Sequence, residues 1–294
     1  KSTADEIKAI FNHADRPCVL TENVMPTFNQ LNIHPARNAI RQLFIARIIE
    51  AKGLAKIQAM AAEEIVPTPL AVLNACELLA RGSEEESGWG ELMAVDIGGA
   101  TTDVYSMASG LPDNEDTITK GLPEPWAKRT VEGDLGMRYS LPHVLELLPE
   151  PSEALQAWVE RCFAATDTLA APHSPEEMLE GVLGRAAVRP AVERHCGTLA
   201  EMVTPLGKVR TVEGKDLTKL KKVIGIGGVL RNSRQPKELL RGCQYSLDKS
   251  NCAKPLHPQF FLDTDYIFAA MGLLTIEDPA LAYQLLNIHI QPID

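Results

Sequence analysis

No stretch of the 294-residue sequence approaches the ~20 uninterrupted apolar residues that a membrane-spanning helix requires, and the opening KSTADEIKAI lacks the apolar core of a secretory signal. Membrane insertion and export are therefore not expected, and a cytoplasmic location is. The six cysteines, Cys18, Cys76, Cys162, Cys196, Cys243 and Cys252, include no C-x-x-C pair, and no histidine stands at zinc-finger spacing. Neither a zinc nor an iron–sulfur site is written here, and reduced, buried thiols are expected. An excess of positive charge is also lacking: the formal charge of −10 is spread along the chain and repels a phosphate backbone, so nucleic acid is not an expected partner. There is no internal repeat and no low-complexity tract.

What is present is the composition of a globular chain, 45% hydrophobic and 23% charged, enough for one large or two medium domains with real cores. The sequence opens on lysine within a segment of helical character, so a portion of a longer protein is expected. After this first helix, Pro17-Cys18-Val19-Leu20-Thr21 reads as a buried strand. Ile40, Leu43, Phe44 and Ile48 then recur at helical spacing, with Gly53 at a C-terminal stop, and their apolar face seeks a sheet. Thr68 followed by Pro69 marks a helix start, and a helix to Arg81 would place Val72, Cys76, Leu79 and Ala80 on one face, with Gly82 ending it. The run Ser83 to Gly88 reads as a solvated loop.

Leu92-Met93-Ala94-Val95 reads as a short buried strand delivering Asp96 to its end. Gly98-Gly99-Ala100-Thr101-Thr102-Asp103 follows, then a second strand, Val104-Tyr105-Ser106-Met107. Two strands around a Gly-rich turn predict an antiparallel hairpin. Residues 108–140 read as a loop-containing excursion, and 141–203 as helical, punctuated by Pro151, Pro172 and Pro190. Lys222 to Ile226 returns to a strand and runs into Gly227-Gly228, and a helix is expected after Asn232. A last helix, Asp265 to Leu274, would carry Tyr266, Ala269, Ala270 and Leu273 on one face.

The hairpin carries chemistry. Its glycines let backbone amides approach phosphate oxygens without a Cβ in the way, Thr101 and Thr102 add hydroxyls, and Asp96 and Asp103 bracket the turn as carboxylates for a hydrated magnesium ion. Gly227 and Gly228, at the end of a buried strand, permit a flat ring to lie against the main chain, with Arg231 able to stack on it. Glu132-Gly133-Asp134-Leu135-Gly136 reads equally well as a functional loop facing ligand or partner and as a solvent turn. His195 and His257 have no partner at a telling spacing and read as ordinary packed or surface residues.

LMAVDIGGATTDVYS resembles the second phosphate motif of the actin, hexokinase and Hsp70 superfamily, VIGIGGVLRN resembles its adenosine motif, and Pro67 to Gly82 resembles its connecting helix. A closer resemblance, over nearly the whole chain, is to the accessory proteins of adenosylcobalamin-dependent glutamate mutase. It is carried by ENVMP, IHPARNAIRQLFIARIIEAKGL, VDIGGATTDVYS, RTVEGDLGMRYS, GKDLTKLKKVIGIGGVLRN and LDTDYIFAAMGLL. The resemblance implies an α/β, ribonuclease-H-like, actin-type ATPase lobe with a mixed sheet and flanking helices. Residues 1–66 would end a preceding lobe, 67–82 would connect, and 83–294 would form the second lobe, with a helical insertion at about 108–216. It implies ATP and magnesium as ligands, with Asp96 holding magnesium through water, and Gly98, Gly99, Thr101 and Thr102 on the phosphates. Asp103 would lie near the attacking water and the metal, and Gly227, Gly228 and Arg231 on the nucleoside. The implied activity is that of a chaperone-like reactivating factor that helps an adenosylcobalamin-dependent mutase exchange damaged cobalamin. The superfamily's first phosphate motif is not found, so these residues alone are not expected to turn over ATP, and no cobalamin-ligating D-x-H-x-x-G occurs. Two rival readings are a hydantoinase- or oxoprolinase-like hydrolase, from which Ala100 departs, and an actin-like filament protein.

Overall fold

A computed structural model describes residues 3–28, 30–51, 66–112, 117–171, 173–205 and 207–293. The chain divides into two compact units, Lys1–Pro67 and Thr68–Asp294. Among the described residues the first holds two helices, α1 (Thr3–His13) and α2 (His34–Ala51). Helix α1 has no buried residue, and Ile40, Leu43 and Phe44 of α2 are exposed; the described residues of this unit contain no sheet for that face. Residues 17–21 form no strand, and Val19 and Leu20 are exposed. A strand requires a neighbour for its backbone groups, and among the described residues none is paired with this segment. Gly53 lies outside the described residues.

The second unit is built on a six-stranded mixed sheet. It begins with α3 (Thr68–Arg81), with Pro69 in its first turn and Val72, Cys76, Leu79 and Ala80 buried as the pattern required. Gly82 ends it at φ +87, where a Cβ would strike the backbone of Glu86 to Gly88. Strands β1 (Leu92–Ile97) and β2 (Thr102–Met107) then form the expected antiparallel hairpin, with Asp96 directly opposite Asp103. The following strands are β3 (Thr117–Lys120) and β4 (Ala127–Glu132). Three helices come next: α4 (Leu141–Glu146), α5 (Glu153–Ala164, capped by Ser152) and α6 (Pro175–His195). After β5 (Thr198–Thr204), β6 (Gly207–Glu213) and β7 (Lys222–Ile226) come the short helices α7 (Gly228–Asn232) and α8 (Pro236–Leu240). Strand β8 (Gln259–Asp263), α9 (Phe268–Leu274), α10 (Pro279–His289) and β9 (Ile290–Pro292) complete the chain.

The main sheet has the order β4-β2-β1-β7-β8-β9, and a separate small sheet has the order β3-β6-β5. In the main sheet β2 runs antiparallel to both of its neighbours, β4 and β1, whereas β7 and β8 run parallel to β1. Side-chain alternation gives the sheet two apolar faces. Met93, Val95 and Ile97 pack with α4, α5 and α6, while Leu92, Ala94, Tyr105 and Met107 pack with α3, α9 and α10. The result is three layers, helix on sheet on helix.

Several expectations are corrected here. The span 108–216 is not purely helical, because it also contributes β4 to the main sheet and the whole of the small sheet. Pro190 lies inside α6 instead of ending it, since Ala187, Val188, Ala191 and Val192 on either side are fully buried and hold both halves in place. Pro172 lies outside the described residues. Helix α9 starts at Phe268, and its buried residues are Phe268 and Gly272 rather than the predicted face. Tyr266 precedes the helix in a left-handed conformation, φ +59.

Candidate functional site

Strand β1 sits centrally, so Asp96, near its C-terminal end, has a neighbour on each side. Asp103 faces it from β2, and Ile226, next to Gly227, faces it from β7. The two glycine motifs, far apart in sequence, therefore touch. A Cβ on Gly227 would lie 2.5 Å from the Ile97 carbonyl oxygen and 2.8 Å from Asp96 Oδ1, and Gly227 holds φ +101, a conformation glycine adopts without strain. No side chain fits between the motifs.

The turn joining β1 and β2 is closed by a hydrogen bond from the Gly98 amide to the Thr101 carbonyl, 2.9 Å. Its carbonyls are occupied: Gly98 O accepts from Met137, and Gly99 O from Arg138 and Tyr139, at 2.8 to 3.0 Å. Gly136 packs so closely on Ala100 that a Cβ would overlap its backbone, and Ser140 Oγ ties Ala100 O to Gly133 O. Residues 132–140 thus brace the turn from behind. The amides of Gly99 and Ala100 have no acceptor among the described residues, the condition under which a glycine turn receives an anion.

The two aspartates lie on the α3 face of the sheet but in different surroundings. Asp103 is buried; Oδ1 accepts from Arg129 at 2.7 to 2.8 Å and Oδ2 from Thr101 Oγ1 at 2.8 Å. Asp96 has no hydrogen-bond or ion-pair partner among the described residues. Burial, with the nearby charges of Asp103 and Asp263, raises its pKa to about 6, and Arg129 opposes the rise only in part. Asp263, at the end of β8, spends its carboxylate on the Ile267 and Phe268 amides and so caps the start of α9. No three His, Cys, Asp or Glu side chains among the described residues form a ready cation cage. A magnesium ion here would keep its waters and complete its shell with ligand oxygens, as magnesium usually does.

Gly98, Gly99 and Gly228 line a cavity of about 530 Å³ that opens on the α6 side, where Arg138, Glu177 and Glu180 also reach it. Asp96, Asp103, Thr101, Thr102, Gly227 and Arg231 are not in its wall. Thr102 Oγ1 donates to the Leu135 carbonyl, 2.6 Å, so it braces the loop instead of facing the cavity. Arg231 is exposed and its Nε donates to the Thr264 carbonyl, 2.9 Å, which directs the guanidinium to the β8–α9 link.

Glu132 and Asp134 are drawn to Arg194 at the end of α6, at 2.6 to 2.8 Å, so the carboxylates of this segment are tied to a helix. His257 is exposed. His195 is fully buried, bonded to Thr130 Oγ1 and Ser106 Oγ at 2.9 and 2.8 Å, and burial first, then Lys128 and Lys215, hold its pKa well below the ordinary value. Cys76, Cys162, Cys196, Cys243 and Cys252 are buried, with no disulfide among them. Sequence reasoning passed over Arg129, Arg138, Glu180 and Asp263. The two arginines flank the Glu132–Gly136 segment in RTVEGDLGMR, where charge on both sides of a Gly-containing loop was the available signal.

Together these features define a mixed α/β protein with flanking helices whose site, glycine-lined and acidic, lies where β1 and β7 end side by side. The chain belongs to the family described as MutL protein, which it matches over residues 1–290. It is similar to protein MutL of Clostridium tetanomorphum, 41% identical over 300 residues, covering 99% of this chain and 64% of that protein. The chain therefore spans less than two thirds of the length of this curated relative.

Proposed function

We propose that residues 68–294 form a ribonuclease-H-like, actin-type lobe that binds magnesium and ATP, and that the protein acts as an ATP-dependent reactivating factor for an adenosylcobalamin-dependent mutase of the glutamate mutase kind. The observation that carries the reading is the meeting of Gly227 with Asp96, which joins the phosphate-type turn to the nucleoside-type strand end in one place. The strand order supports it: three antiparallel strands followed by two parallel ones, with α3 and α9 packed across each other on one face. The MutL name of the relative supports the mutase part.

The residues present fit such a ligand. The open amides of Gly99 and Ala100 would receive phosphate oxygens, and Asp96, without a protein partner, would hold hydrated magnesium. Bound magnesium would supply charge neutralisation. Arg129 and Thr101 hold the Asp103 carboxylate in place, as a group accepting a proton from water requires. Gly228 leaves the cavity wall flat enough for a ring. The fit is that of a cavity of nucleotide size with few placed polar groups.

The test is made on the full-length protein. Calorimetry should show magnesium-dependent ATP binding, and a mutase inactivated by damaged cobalamin should regain activity when the protein, ATP and intact adenosylcobalamin are supplied together. ATP binding without reactivation would remove the mutase part of the proposal, and absence of ATP binding would remove all of it. Hydantoin-dependent phosphate release, or ATP-dependent pelleting, would replace it with one of the rival readings.

A further inference from the structure

Among the described residues whose side chains line the 530 Å³ cavity, Arg138 is the sole cation, set against the carboxylates of Glu177 and Glu180. Arg138 is 7% exposed. Its Nη2 donates to Glu180 Oε1 at 2.7 Å and its Nη1 to the Met137 carbonyl at 2.5 Å. Its own amide donates to Gly99 O at 2.8 Å, and its Cβ and Cγ lie 3.7 Å from where a Cβ on Gly99 would stand. One residue is therefore fastened to the Gly-rich turn by its backbone and to α6 by its guanidinium.

A polyphosphate settling on the Gly99 and Ala100 amides would bring its charge against two glutamates, in a chain whose formal charge is already −10. The guanidinium is the group in the wall able to offset that charge. A tetrahedral phosphate can offer it two acceptor oxygens at once, as a carboxylate can, with more negative charge. We infer that Arg138 is a phosphate-binding residue held in reserve: Glu180 occupies it until the ligand arrives, and it then exchanges Glu180 for a phosphate oxygen. The inference rests on reading the turn as a polyphosphate site.

The exchange has a structural consequence. Residues 132–138 are tied to α6 at two places, by Glu180 near the start of that helix and by Arg194 near its end. Loss of the Glu180 tie leaves the Arg194 tie intact, so the start of α6 is freed from the turn while its end stays anchored. Ligand occupancy is thereby reported to a 21-residue helix that packs on the main sheet.

The test compares wild-type full-length protein with Arg138→Met and Glu180→Gln in calorimetric titrations with magnesium-ATP, tripolyphosphate and adenosine. Arg138→Met should weaken ATP and tripolyphosphate roughly tenfold, the size of one charge-assisted contact, and leave adenosine unchanged. Glu180→Gln, which removes the competitor, should bind tripolyphosphate more tightly than wild type. An ion pair that merely supports the fold predicts the opposite sign, so weakened or unchanged binding by a folded Glu180→Gln overturns the inference. Should either variant fail to melt cooperatively, Arg138→Lys and Glu180→Asp take their places: the first keeps charge without the two-point fork and should bind with intermediate affinity. The second shortens the competitor and should tighten binding; a failure of either expectation counts against the exchange. If wild type binds neither ATP nor tripolyphosphate, the nucleotide reading itself falls, a result distinct from a wild type that binds while its variants do not respond.

Discussion

Asp96 and Asp103 are equivalent in the sequence, each a carboxylate beside the Gly-rich turn, and the structure separates them by what surrounds them. Asp103 has a cation and a hydroxyl; Asp96 has neither. With the folded pKa of Asp96 raised to about 6 against an ordinary 3.8, the folded state holds its proton more tightly than the unfolded state does. Stability is therefore lost as pH rises from about 4 to about 6 and is not regained above it, by roughly 2 kcal/mol. Asp96→Asn should melt higher than wild type above pH 6 and equally at pH 4, while losing magnesium-dependent ATP binding. His195 has the opposite sign. Its folded pKa lies well below the ordinary 6.5, so its contribution is present above pH 6.5 and is lost as pH falls, because the unfolded ring takes a proton that the folded ring refuses. Denaturant titrations at pH 7.5 and 5.5 should show His195→Gln losing less stability across that interval than wild type.

At the scale of elements, Lys215 decides whether the small sheet stays attached to the large one. It follows β6, is fully buried, and its Nζ donates to the carbonyls of Ser106, Ala108 and Trp126 at 2.7 to 3.3 Å. Lys215→Met would take the shared donor from these buried acceptors, of which Trp126 O keeps only the Ala108 amide, and should cost about 3 kcal/mol. Hydrogen exchange should then rise in β5 and β6 before it rises in β1. Gly228→Ala is the complementary case. A Cβ there meets nothing nearer than Asn232 Nδ2 at 3.9 Å, so the fold should be unaffected while adenosine binding weakens. The hairpin and α3 were legible because burial, glycine and proline signals agreed at those places. Strand β4 was not, because half of AKRTVE is charged and the segment reads as polar. Strands β3, β5 and β6 were hidden similarly: a separate small sheet needs few buried side chains, and Ile118 and Val203 on it are exposed. The site was legible as to which glycines and aspartates would meet. The arginines that partner them were not, because an ion pair between β4 and β2 is a product of register, which spacing along one chain does not contain.

For the molecule as a whole, the cavity has a wall of glycines and helix residues from residues 68–294, and the proposed ligand would need a second wall to exclude water. On that reading, magnesium-ATP should bind residues 1–294 more weakly than the full-length protein, by at least tenfold in calorimetry, since the phosphates stay hydrated on one side. Equal affinity would mean that these residues already hold the complete site.

The crossing of α3 and α9 has a genetic consequence. Gly272 approaches the main chain of Ala71 so closely that a Cβ would overlap its carbonyl oxygen. Gly272→Ala should destabilise the second unit by about 3 kcal/mol, measurable by denaturant unfolding. Since the obstructing atom is a backbone oxygen, which every amino acid carries, no replacement at position 71 makes room. A suppressor screen begun from Gly272→Ala should therefore return true revertants at 272 and changes that stabilise the fold elsewhere, and no compensating allele at 71.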